Sequence, residues 1–230
     1  MTKYTYLLID LLSVLIPLAF SFHHKIQLYK YWAALIPAIF ITALFYLLWD
    51  SWFVYLGVWG FNQHYITGIH IGNLPLEEVL FFICIPYACI FTYKCISGLI
   101  PSTYLQGSIA YINYIFAAIL AILAIIFHNK PYTLSAFALL AVMILIGAIK
   151  KLAWLPKFYL VYIILLIPFL VVNGLLTGTG LARPVVWYSA NGIIGLRILT
   201  IPIEDIFYGM GLILSNIWIY QSVRHYKLPD

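Results

Sequence analysis

Asn73-Leu-Pro75-Leu-Glu77-Glu78-Val-Leu-Phe81-Phe82-Ile-Cys-Ile-Pro86 places two adjacent carboxylates just behind a proline, at the head of a run that stays apolar to Tyr93. Proline suits the first turn of a helix, where its missing N–H costs nothing, and acids there sit against the positive end of the helix dipole. An acid at the centre of a membrane helix costs roughly 2.5–3.5 kcal/mol, and less near its end. The pattern returns in Thr200-Ile-Pro202-Ile-Glu204-Asp205-Ile-Phe207-Tyr208, an offset of 127 residues. The chain has 7 acidic residues, and Glu77, Glu78, Glu204 and Asp205 are four of them. Two helix starts with dipole-favourable acids account for the placement of these groups, but not for carrying so many of them into so oily a chain.

Of the 230 residues, 65% are hydrophobic and only 8% charged, and the mean hydropathy is +1.03. A soluble domain is about 25% charged, so this is a polytopic membrane protein, all-α, of a single membrane domain over 1–230. Seven apolar stretches of spanning length are expected at about 4–22, 31–49, 75–96, 104–127, 132–149, 158–176 and 202–221. The net charge of +5 comes from scattered Lys and Arg, which is a topology signal and gives no reason to expect nucleic acid. Cys84, Cys89 and Cys95 share one helix at no zinc or disulfide spacing, and no metal is expected. The apolar N-terminus lacks a small-residue cleavage site and is expected to remain as the first span.

The offset carries the first span onto the fifth, the second onto the sixth and the third onto the seventh. Internal repeats are therefore expected at about 3–97 and 130–222, with a linker helix at about 104–127. Equivalent helices are four apart and cross in the same direction, so the repeats are parallel, about an axis along the membrane normal. Lys3, Lys130, Arg183 and Arg197 fall on the N-terminal side, against Lys25, Lys30, Lys94, Lys150, Lys151, Lys157, Arg224 and Lys227 on the other. The positive-inside rule then puts the N-terminus outside and the C-terminus in the cytoplasm. The connections before each motif, 50–74 and 173–201, are long, aromatic and mostly uncharged. They suit non-helical backbone packed over or partly into the bundle; an interfacial aromatic belt explains Trp52 and Trp187 equally well.

Helical spacing puts Phe81 and Phe82 beside the first acid pair, and Phe207 and Tyr208 beside the second. Plain packing is the other reading of such rings. Aromatic faces attract cations by ~0.5–1 kcal/mol when exposed and ~2 or more when dry. A neutral carboxyl, an ionised one and aromatic walls in an oily cavity are what a carbocation reaction requires: a donor to an alkene, rings to hold the charge, and a base to remove a proton. Trp59, Trp187, Asn173 and Arg197 are further candidates for the substrate site, with Arg197 able to hold an ionised acid if its loop folds back. Gly178-Thr-Gly180 and Gly209-Met-Gly211 do not make a dinucleotide fold, so no cofactor is expected. No N/D-D-x-x-D run exists to hold magnesium diphosphate, and the seventh span has no internal lysine for a retinal Schiff base.

Pro75-Leu-Glu77-Glu78, Pro202-Ile-Glu204-Asp205, the Phe81-Phe82 pair and Asn173-Gly-Leu-Leu-Thr-Gly178 together resemble the integral-membrane lycopene cyclases of archaea, some bacteria and fungi. Some bacteria make the two halves of such a cyclase as separate polypeptides; here both appear fused, so the resemblance covers nearly the whole chain. It implies redox-neutral isomerisation of an acyclic lycopene end to a β-ionone ring, as in β-carotene, with lycopene drawn from the lipid phase among membrane lipids. By matching position, Glu77, Glu78, Glu204 and Asp205 become the candidate acids and bases, and Glu77→Gln or Glu204→Gln should abolish product. A proton-coupled carrier using the paired acids as a relay is the alternative, and a structural subunit a third. The sequence leaves open whether one or both ends are cyclised, whether the chain works alone or as a homo-oligomer, and whether a bound reduced flavin assists without turnover.

Overall fold

A computed structural model describes residues 3–100 and 109–227, with side chains at 109–110 and 225–227 left aside. Among the described residues lie seven α-helices: α1 (Thr5–Phe20), α2 (Trp32–Tyr55), α3 (Leu76–Ser97), α4 (Ile109–Ile126), α5 (Pro131–Ile149), α6 (Leu155–Thr177) and α7 (Ile203–Lys227). Five of them, α2, α3, α5, α6 and α7, are long and apolar enough to cross a membrane. With 16 residues, α1 reaches about 24 Å at 1.5 Å per residue, short of a hydrocarbon core of about 30 Å. The expected fourth span begins at 104, and its first residues lie outside those described. Large apolar side chains such as Leu12, Ile16, Phe40, Leu44, Ile163 and Ile167 point out of the bundle, where lipid and not water is the fitting solvent. The chain is a membrane protein.

The second helix departs from expectation. It runs six residues past 49, because Asp50-Ser-Trp-Phe-Val-Tyr55 contains no breaker before Gly57, which sits at φ +68°. Asp50, expected in a loop, is thereby carried on the last turns of α2. A helix starts at Leu76 in part because Pro75, extended at φ −67° and ψ 152°, cannot continue one backwards.

The connections form three short antiparallel ladders. In β1 (Trp59–Phe61) and β4 (Val186–Tyr188), Gly60 faces Trp187, which stands one offset further along the chain. A Cβ on Gly60 would lie 2.5 Å from the Trp187 indole, so only glycine lets that ring cover the strand. The second ladder joins β2 (His70–Ile71) to β3 (Leu74–Pro75), and the third joins β5 (Arg197–Ile198) to β6 (Ile201–Pro202). Each hairpin is entered through a glycine in the left-handed region, Gly68 at φ +90° and Gly195 at φ +93°. Both hairpins end on the proline that opens a motif helix.

Below this cap, α1 packs along α3 and α5 along α7, while α4 packs on α5 at the side. The second helix lies against α7 and α3, and the sixth mainly against α3. The motif helices α3 and α7 therefore stand at the centre, each bounded by helices from the other half.

Candidate active site

Rotation about the helix axis sorts the four motif acids into two kinds. Glu77 and Glu204 are fully buried and turn back toward the hairpins. The Thr67 amide donates to Glu77 Oε1 at 2.7 Å, and the Ile194 amide to Glu204 Oε1 at 2.7 Å. The two contacts are one offset apart and fasten each loop to its helix. Thr133 on α5 adds a hydroxyl to Glu204 Oε1 at 2.6 Å.

Glu78 and Asp205 turn the other way, into one cavity of about 260 Å³. Tyr6 on α1 donates to Glu78 Oε2 at 2.6 Å. Asp205 takes three donors: the Tyr132 hydroxyl at 2.8 Å on Oδ1, with Asn173 Nδ2 and the Tyr188 hydroxyl both at 3.0 Å on Oδ2. Burial first, and the Asp205 charge second, hold the Tyr188 hydroxyl well above the ordinary tyrosine range, so it stays a neutral donor. An ionised carboxylate only accepts, whereas a protonated one must also donate. Among the described residues, the three donors around Asp205 fit the carboxylate, and the single donor on Glu78 leaves room for a proton.

The wall around these acids is aromatic. Phe81 meets Tyr6 edge-on at 6.3 Å, Trp59 meets Tyr132 edge-on at 4.9 Å, and Tyr132 stacks on Tyr188 at 6.0 Å. Tyr208 meets Tyr132 at 5.6 Å. Away from the acids the cavity continues between α3 and α6 past Ile85, Ala88, Leu165 and Val172, with Ser13 and Pro17 of α1 at its side.

Of the other sequence candidates, Trp59, Phe81, Asn173 and Tyr208 line the cavity. Phe82 is buried against Tyr46 at 6.2 Å, and Phe207 packs on Phe137 at 4.7 Å, both as core. Trp187 is 44% exposed over Gly60, and Trp52 59% exposed, so both face outward. Arg197 donates from its Nη1 to the Thr200 carbonyl and lies 5.9 Å from the Tyr188 ring. It braces its own hairpin and supports Tyr188, which bonds Asp205.

Sequence reasoning passed over Tyr6, Tyr132, Tyr188 and Asp50 as site residues. A signal existed for the first two: Thr5-Tyr6 and Tyr132-Thr133 occupy one offset with the order swapped. Asp50, 3% exposed, lines the cavity. Asp10 is buried one turn below Tyr6.

A family profile described as lycopene cyclase matches residues 3–96 and 129–223. The bifunctional lycopene cyclase/phytoene synthase of Pyrenophora tritici-repentis is 39% identical over 49 residues, which is 21% of this chain and 8% of the fungal protein. The chain thus matches only a small part of that relative's length. No solved structure matches.

Proposed function

Because the chain belongs to the lycopene cyclase family, we propose that its cavity closes an acyclic end of lycopene into a β-ionone ring by acid–base catalysis. The observation that carries this reading is that Glu78 and Asp205, one from each copy of the motif, open on a single apolar, aromatic-walled cavity. Glu78 gives its proton to the terminal double bond, making a tertiary cation. The neighbouring double bond attacks that cation and closes the six-membered ring. Asp205, held as a carboxylate by Tyr132, Asn173 and Tyr188, faces the positive charge and removes the ring proton. Phe81, Trp59 and Tyr208 offer their faces to the cation on the way, each able to contribute ~2 kcal/mol in a dry site. One proton enters and one leaves, so the reaction is redox-neutral.

Glu77 and Glu204 act one step back, by fixing the loops that bring Trp59, Tyr188 and the acids together. The rival reading, a proton-coupled carrier, needs a polar path to both faces. The cavity gathers its acids at the motif end, and its far wall between α3 and α6 is apolar, which favours a hydrocarbon guest taken from lipid. By the charge bias the motif end is the outer one.

The test is expression in bacteria that accumulate lycopene. The wild-type chain should turn red cells yellow-orange, whereas Glu78→Gln and Asp205→Asn, present in the membrane at wild-type levels, should leave them red. Ring closure at wild-type rates in both variants would remove these two acids from the chemistry.

A further inference from the structure

The cavity is longer than ring closure needs. Its wall on α3 begins at Glu78 and ends at Thr92, fourteen residues later, about 21 Å at 1.5 Å per residue. On α1 the wall runs from Tyr6, which bonds Glu78, to Pro17. On α6 it runs from Asn173, which bonds Asp205, back to Tyr162. The motif acids stand at one end of this length. The third helix packs against both α1 and α6, whereas α1 and α6 scarcely meet. Together they make a slot with α3 at its back and a gap between α1 and α6 at its front. Pro168, exposed, and Pro17, half-buried, border that gap. Leu12, Ile16 and Ile167 turn outward beside them, so the slot opens onto lipid.

The chemistry of the slot fits a hydrocarbon chain. Three hydroxyls line it away from the acids, and each already donates within the protein. Ser13 Oγ bonds the Ile9 carbonyl at 2.7 Å, Thr92 Oγ1 the Ala88 carbonyl at 2.9 Å, and the Tyr162 hydroxyl the Ile206 carbonyl. Among the described residues, the remaining wall past the acids on these three helices is Cys89 and apolar side chains. A polar guest would give up its bonds to water there and gain none. The side chains midway along are small: Ala88, about 15 Å from Glu78 along α3, and Ser13, about 10 Å from Tyr6 along α1. One offset further, Leu140 and Ile144 stand in place of Ser13 and Pro17 and are fully buried in the core, so the matching seam of the other half is filled. On the reading that Glu78 and Asp205 close an acyclic end of lycopene, we infer that this slot is the subsite for the conjugated chain next to that end. Ala88 and Ser13 admit the chain by being small, and its far end leaves between Pro17 and Pro168 into lipid. The protein thus reads the near part of the polyene and leaves the far end unread.

Lycopene is achiral and absorbs visible light, so circular dichroism in its absorption band reports a conjugated chain held by a chiral site. Full-length Glu78→Gln protein, in which closure is blocked, should show that signal in lycopene-containing lipid vesicles, above vesicles without protein. Adding Ala88→Phe or Ser13→Phe sets a ring into the slot from a different helix in each case. Either should cut the signal at least fivefold while the far-ultraviolet helix signal of the same sample is unchanged. Absence of any visible signal from the Glu78→Gln chain would overturn the slot, and so would a signal within twofold of it in both ring variants. A visible signal from Glu78→Gln, with no ring formed by the wild-type chain, would instead overturn the cyclase reading and leave the polyene subsite standing.

Discussion

Glu77 and Glu78 are neighbours in sequence but stand about 100° apart around α3, and that angle divides their work. One holds the Thr67 amide, and the other reaches the cavity through Tyr6. Glu204 and Asp205 divide in the same way on α7. The separation has a measurable consequence. Glu204→Ala strips the acceptor from the Ile194 amide and the Thr133 hydroxyl, leaving buried donors unpaired at about 1–3 kcal/mol. Its thermal midpoint in detergent should fall, and any ring closure it retains should proceed at temperatures where it is folded. Asp205→Asn should behave in the opposite sense, with the fold kept and product lost. A Glu204→Ala variant as stable as wild type would show that Glu204 does not anchor its loop. Chemical identity makes all four acids candidates for the chemistry. Which pair faces the guest depends on helix rotation, and that is fixed by distant partners such as Tyr6 and Tyr132.

At the scale of elements, apolar run length made most helices legible, and the proline-led motifs located the starts of α3 and α7 within a residue or two. The end of α2 lies past the apolar run that stops at residue 49, because nothing from Asp50 onward breaks the helix before the glycine that can turn it. The ladders were not legible. Their strands are two or three residues long, too short for an alternating pattern to register, and β1 pairs with a strand from the other half of the chain. That ladder, with α2 against α7 and α6 against α3, holds the halves together across a broad surface. By contrast, α4 rests mainly on α5. A chain cut between α3 and α4 should therefore reassemble: fragments 1–100 and 101–230, expressed together, should co-purify on a tag carried by either one and make cyclised pigment. Either fragment alone should make none, since each supplies only one of Glu78 and Asp205. Failure of the fragments to co-purify would mean that the covalent connection, and not the packed surface, keeps the site assembled.

For the molecule as a whole, the repeat does not produce two equivalent sites. Against α7, α2 brings Tyr46 and Trp49 onto Tyr208, and a Cβ at Gly211 would stand 3.0 Å from the Tyr46 hydroxyl. Against α3, α6 instead borders the open cavity. Both motif acids therefore serve one chamber. At about 260 Å³ it is smaller than the 300–1,000 Å³ of common small-molecule pockets, enough for one end of a long polyene and too small for the whole of it. Each visit should then close one ring, and a second closure requires the one-ringed product to leave, turn end for end and return. With enzyme scarce and lycopene in excess, chromatograms over time should show the one-ringed carotenoid rising first and any two-ringed product following after a lag. Diluting the vesicles' lycopene should shorten that lag, because the one-ringed product then meets less competition for the chamber. A two-ringed product that appears from the first time point, with no one-ringed species ahead of it, would require both ends to be served in a single visit and a second chamber in the bundle.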